Sequence, residues 1–279
     1  MLLFGSEYGL DRMRLAFIGG GTMAEAILKG VLDAGLAGPG DIDVGEPRAD
    51  RRDFLAKEYG VKNHAGNAEA AAGADLVVLA VKPQDLPHVF SQLGPNMRSG
   101  QAALSIVAGA KISTLTTGLD HSAVIRVMPN TPAQIGCGMS IWTCSQDVDD
   151  DLKGLTKSIL ATIGEEIYVD DEKYLDMATA LSASGPAYVF LFIEALIDAG
   201  VYVGLPRDMA RTLALQTVYG STKLVMETGR HPADLKDMVV SPAGTTAEGL
   251  RALEKGGLPG VILDAVDAAY LKSIKLGQG

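Results

Sequence analysis

A short apolar run, Arg14-Leu-Ala-Phe-Ile18, ends in Gly19-Gly-Gly-Thr-Met-Ala24 and leads directly into a segment with apolar residues at Met23, Ile27, Val31 and Ala34. That spacing predicts a helix over Thr22–Ala34. A strand, a glycine turn and a helix in this order restrict the fold more than any other feature of the chain. The turn fits G-x-G-x-x-A. Gly19 permits a tight turn, Gly21 lets the backbone approach a pyrophosphate, and Ala24 lets the helix lie close to the strand. The first N–H groups of the helix, around Thr22 and Met23, then attract phosphates. The alternative is a glycine turn with a purely structural role.

The rest of the first half repeats the alternation. Ile42–Val44 reads as a second strand and Arg48–Tyr59 as a polar helix stopped by Gly60. Asp75-Leu-Val-Val-Leu-Ala-Val81 is an unbroken apolar run, the pattern of a strand buried on both faces of a parallel sheet. Ala102–Val107 and Ala123–Val127 repeat it, and Met139–Thr143 and Glu166–Val169 read as further strands. The expected first domain, residues 1–171, is therefore a Rossmann-like, doubly wound α/β domain with a mostly parallel sheet. Residues 1–12 precede its first strand as an extension or an alternative start. They carry Glu7 and Asp11 with no basic region before their apolar residues, which argues against a secretory signal.

Beyond Asp171 the strand-like runs stop. Helical stretches follow at Tyr174–Ser182, Ala187–Val203, Arg207–Thr228, Ala233–Val239, Thr245–Lys255 and Leu258–Leu276, punctuated by Gly-Pro, Gly-Leu-Pro and His-Pro. Residues 172–279 are expected to form an all-α domain. Several of these helices are apolar on more than one face, more than so small a domain buries alone, so subunits are expected to associate through it.

Composition excludes several functions. The net charge of −10 disfavours nucleic acid, and no basic tract suits a membrane surface. The longest apolar runs read as too short and too interrupted by glycine and charge to cross a bilayer. Cys137 and Cys144 flank a predicted strand, too far apart to bridge, and no cluster has metal-ligand spacing. A cytoplasmic location is expected.

Four more segments carry chemistry. Glu46 and Arg48, Arg51 and Arg52 follow the second strand, where an acid takes the ribose hydroxyls of NAD and an arginine the extra phosphate of NADP. The signal is split. Ala80-Val-Lys-Pro83 lies at the carboxyl end of a buried strand, where such sheets bind ligands. Lys82 reads there as a structural or cofactor-side lysine rather than a catalytic one. Arg126-Val-Met-Pro-Asn-Thr-Pro132 is a rigid loop in which Asn130 either orients an amide such as nicotinamide or simply holds the turn. Ser241-Pro-Ala-Gly-Thr-Thr246 opens a helix. It reads as an N-cap or as an anion site with the N–H groups of Gly244 and Thr245 facing outward.

Together with Ser184-Gly-Pro-Ala-Tyr188 and Gly204-Leu-Pro206, and in this order, these motifs resemble the pyrroline-5-carboxylate reductases over residues 13 to 275. The resemblance implies reduction of the cyclic imine 1-pyrroline-5-carboxylate to L-proline, the last step of proline biosynthesis, with NADPH or NADH. It also implies a helical domain that interlocks into homodimers or larger homo-oligomers. The dinucleotide would touch Gly19, Gly21, Thr22, Met23, Asn67, Ala80, Val81, Lys82, Pro83, Ala108 and Gly109. The substrate carboxylate would rest on Gly244 and Thr245, Thr246 would bond the ring nitrogen as the catalytic hydroxyl, and Glu172 would face the same pocket. Two positions depart from the family pattern. Ala243 replaces a common glycine, and Glu46 stands where many members place Ser or Arg.

Two other readings compete. A β-hydroxyacid dehydrogenase would carry a catalytic lysine on a helix of the second domain, yet none occurs after Ser184-Gly-Pro186 until Lys223. A dinucleotide-binding sensor without catalysis would need no Ser241–Thr246 segment.

Overall fold

The computed structural model describes residues 13–277. Eight strands form one sheet: β1 (Leu15–Ile18), β2 (Ile42–Gly45), β3 (Lys62–His64), β4 (Leu76–Leu79), β5 (Ala102–Ser105), β6 (Val124–Met128), β7 (Gly138–Cys144) and β8 (Gly164–Tyr168). Their order is β3-β2-β1-β4-β5-β6-β7-β8. Every pairing is parallel except β6 with β7. The first six strands thus have the doubly wound order, with its switch point between β1 and β4, where ligands bind at the carboxyl ends.

The apolar runs are explained by cover on both faces. Leu15 and Phe17 of β1, with Leu76 and Val78 of β4, enter one core beside Ile27, Val31, Leu55 and Ile159. Ala16, Ile18, Val77 and Leu79 point the other way, against Val89, Leu93, Leu115 and Leu119. The covering helices are α1 (Thr22–Asp33), α2 (Ala49–Tyr59), α3 (Asn67–Ala71), α4 (Leu86–Leu93), α5 (Ile112–Leu119) and α6 (Asp150–Ala161). The sequence reading names neither β3 nor α6. β3 is a three-residue edge strand, Lys-Asn-His, with no apolar alternation to reveal it. Helix α6 is capped by Asp149, whose side chain accepts from the Leu152 N–H at 2.8 Å.

The helical half comprises α7 (Lys173–Ala178), a π turn (Thr179–Ala183), α8 (Gly185–Tyr202), α9 (Arg207–Thr228), α10 (Pro232–Val239), α11 (Thr245–Lys255) and α12 (Leu258–Leu276). By their contacts the described residues form two units. One runs to Ala183 and takes in α12 from Tyr270; the other is Ser184–Ala269. Residues 172–183 join the first unit through Arg126, whose guanidinium, almost fully buried, bonds Glu172 at 2.7 Å and Asp176 at 3.4 Å. Ser273 of the last turn of α12 donates to the same Asp176 oxygen at 3.0 Å.

The second unit is poorly buried. None of the α8 or α11 residues is buried, and α9 contributes only Ala210 and Ala214. Helices α8 and α9 approach closely at Gly200, where a Cβ would lie 2.9 Å from that of Ala210. The helical stretch Lys173–Tyr202 runs through 30 residues, with a segment of mean hydropathy 1.6. By length and composition it could cross a bilayer, which corrects the expectation that every apolar run is too short. The π turn ends at Ala183, and Ser184, a bend, caps α8 with Pro186 in its first turn, so Ser184-Gly-Pro186 punctuates the two helices as the sequence suggests. Both cysteines are free, Cys137 exposed and Cys144 partly covered.

Candidate dinucleotide and substrate sites

At the switch point the glycine turn behaves as its sequence requires. Gly19 has φ +93°, and a Cβ there would lie 2.7 Å from the carbonyl oxygen of Ala80. Only glycine fits that contact between the turn and the end of β4. Its N–H donates to the Gly45 carbonyl at 2.8 Å, which ties the turn to β2 as well. At Gly21, by contrast, a Cβ would meet nothing within 4 Å, and Gly21 and Thr22 are exposed. Gly21 caps α1 and has no side chain to bond the first N–H groups of the helix. Ala24 is buried against the sheet. The turn therefore fits a pyrophosphate.

The other expected dinucleotide residues gather at the same edge of the sheet. Ala80, Val81, Lys82 and Pro83 follow β4, Ala108 and Gly109 follow β5, and Asn67 opens α3 after β3. Lys82 is exposed. The Asn67 amide donates to Gln92 at 2.7 Å, and its oxygen lies against Gly45. Gly109 has φ +76° and touches Leu276 at the end of α12. Asn130 stands apart from this group in its bonding. Its NH2 reaches the Ser182 carbonyl and hydroxyl at 3.2 and 3.3 Å, and its oxygen accepts from the Met139 N–H at 2.9 Å. Those bonds describe an amide that holds the loop. Glu172 is similarly engaged: one oxygen accepts from Arg126 at 2.7 Å and from the Ile112 N–H at 2.8 Å.

A network that the sequence reading missed backs the turn. Arg51 donates from Nε to the Gly20 carbonyl at 2.6 Å and pairs through Nη2 with Glu25, which also accepts from the Tyr59 hydroxyl at 2.7 Å. Burial alone would raise the Glu25 pKa, but the bonds from Arg51 and Tyr59 and the arginine charge outweigh it and hold the carboxyl below its usual range. Burial and the Glu25 carboxylate push the Tyr59 hydroxyl up to about 12.

In the second unit, Gly244 caps α11 with no side-chain bond. Its own N–H donates to the Ser241 carbonyl at 3.0 Å. The outward-facing pair expected at Gly244 and Thr245 is thus shifted: the turn uses the first, and the unpartnered donors of a helix start are those of Thr245 and Thr246. Ala243 adopts φ +55°, the left-handed region that glycine occupies without penalty. That conformation is the physical reason for a glycine in the resembled pattern. Thr246 is partly exposed in the first turn of α11.

A doubly wound sheet with an uncapped glycine turn at its switch point and an acid after β2 defines a nicotinamide-dinucleotide oxidoreductase. Comparison narrows the class. The family model described as pyrroline-5-carboxylate reductase dimerisation matches residues 172–276, and that described as NADP oxidoreductase, coenzyme F420-dependent, matches residues 14–109. The pyrroline-5-carboxylate reductase of Synechocystis is 44% identical over 266 residues, covering 95% of this chain and 99% of that protein. The pyrroline-5-carboxylate reductase structure from Coxiella burnetii superposes with a TM-score of 0.87 at 34% identity, over 95% of this chain and 99% of that one. The Plasmodium falciparum pyrroline carboxylate reductase, solved with NADP bound, gives 0.87 at 35% identity, over 96% and 100%. The chain belongs to the pyrroline-5-carboxylate reductase family.

Proposed function

We propose that this chain reduces 1-pyrroline-5-carboxylate to L-proline with NAD(P)H, the last step of proline biosynthesis. The observation that carries the reading is one chain with two uncapped helix starts, at Gly21 and at Gly244, in a sequence matched to these reductases over nearly its full length. Each suits one anion, a pyrophosphate at the first and a carboxylate at the second. Reduced nicotinamide supplies the hydride. The rest is placement, because a protonated cyclic imine is already electrophilic. The Thr245 N–H group and the helix start hold the carboxylate, and the Thr246 hydroxyl bonds the ring nitrogen and orients or relays its proton. Asn130, its amide bonded to Ser182 and Met139, and Glu172, one oxygen bonded to Arg126 and Ile112, hold their own loop and helix.

The exposed apolar faces of α8, α9 and α12 support a homodimer, or a larger homo-oligomer, through the helical half. Two free cysteines suit a reducing cytoplasm.

The test is to mix the folded protein with 1-pyrroline-5-carboxylate and NADPH, or NADH, and follow loss of the reduced nicotinamide and appearance of proline. Oxidation coupled to proline supports the reading. A protein that binds a reduced dinucleotide yet oxidises neither sinks it.

A further inference from the structure

The residue after β2 is more firmly fixed than its sequence suggests. Glu46 is 7% exposed. Its Oε2 accepts from the Gly20 N–H at 3.0 Å, inside the dinucleotide turn itself. Its Oε1 accepts from the Arg48 N–H at 3.0 Å and from Arg48 Nε at 3.3 Å. Its main chain is held too: the N–H donates to the His64 carbonyl at 3.0 Å, and the carbonyl accepts from Arg52 at 2.8 Å. The carboxylate therefore stays beside the turn.

The nearby arginines do not offset it. Arg51 is turned onto the Gly20 carbonyl and Glu25, and Arg52 onto the carbonyls of Glu46 and Pro47. Arg48 is exposed at its side chain, but its Nε faces Glu46. Of the roughly four acceptor positions of a carboxylate, three are filled, and the remaining one lies on Oε2. That position accepts a hydroxyl proton. A 2′-phosphate has no spare proton to offer there and brings like charge against a fixed carboxylate.

We propose that Glu46 is the specificity-determining residue for the cofactor and makes this chain prefer NADH to NADPH. The inference rests on the reading of Gly19–Ala24 as the dinucleotide turn.

The experiment measures dissociation constants of NADH and NADPH for the whole enzyme by calorimetry, without substrate, beside kcat/KM for each with 1-pyrroline-5-carboxylate. Wild type is expected to bind NADH at least about tenfold more tightly. Glu46→Ser should move the ratio of the two constants toward NADPH by at least about tenfold. Glu46→Gln keeps the size, removes the charge and halves the acceptor positions, and should move the ratio the same way. It serves if the serine variant does not fold. The proposal is overturned if wild type binds NADPH as tightly as NADH, or if neither variant moves the ratio. In the first case, loss of NADPH binding in Arg48→Ala would mark Arg48 as the phosphate ligand. Failure to bind either dinucleotide is a different result, which removes the turn reading and the proposed function with it.

Discussion

Thr246 is the residue on which the proposed chemistry turns, since its hydroxyl stands at the start of α11 beside an N–H that no side chain caps. Thr246→Ala is expected to lower kcat/KM for the imine by at least about tenfold, the cost of one hydrogen bond to a charged group. Dinucleotide affinity should hardly change. A variant that loses NADH binding would contradict this division of roles. Glu25 shows a different kind of dependence. Its folded pKa lies below the unfolded value, so its contribution to stability is complete above the ordinary carboxylate range and fades as pH falls through the folded pKa. Glu25→Gln should therefore destabilise the protein by about 1–2 kcal/mol at neutral pH. The gap to wild type should shrink below about pH 4. Thermal melts across pH check this, and a gap that widens in acid would refute it.

Elements depend on backbone contacts that only glycine allows. Gly164 begins β8 with φ +141°, and a Cβ there would fall 2.0 Å from the Gly138 carbonyl oxygen of β7. Gly164→Ala is expected to cost more than about 3 kcal/mol, because backbone rather than a flexible side chain is in the way. Gly154 lies exposed within α6, where a Cβ meets nothing within 4 Å. Gly154→Ala should stabilise the protein by about 0.5–1 kcal/mol. Urea unfolding of the two variants should shift in opposite directions. At this scale much was legible in the sequence. The buried strands announced themselves as unbroken apolar runs, and α9, α11 and α12 end where their periodicity ends. Polar β3 was invisible because an edge strand needs no apolar face. The bonds made by Glu172 and Gly244 were not legible either, and for Asn130 the sequence left holding the turn and orienting an amide as equal alternatives. Such bonds to residues distant in sequence, and a turn geometry such as that at Gly244, leave no periodic trace.

The whole molecule has one half with a core and one that largely lacks it. The sheet and its helices bury two continuous clusters, whereas in Ser184–Ala269 Phe190 is 61% exposed, Leu191 67%, Met226 73% and Leu263 68%. A surface so apolar is rarely left to water. The helical stretch Lys173–Tyr202 is long and apolar enough to span a membrane by length and composition alone. The matched family model concerns dimerisation and spans residues 172–276, so a second copy is the occupant the proposal favours. Coupling of folding to association then follows, and the melting temperature should rise with protein concentration. Introducing charge with Leu191→Lys and Leu263→Lys together is expected to shift the protein in sedimentation from dimer or larger species toward monomer, with loss of imine reduction. Because the glycine turn and Glu46 belong to the first unit, NADH binding should persist in the species that remains folded. A concentration-independent monomer that still turns over the imine would show that the helical half stands alone, and the apolar faces would then need a different occupant.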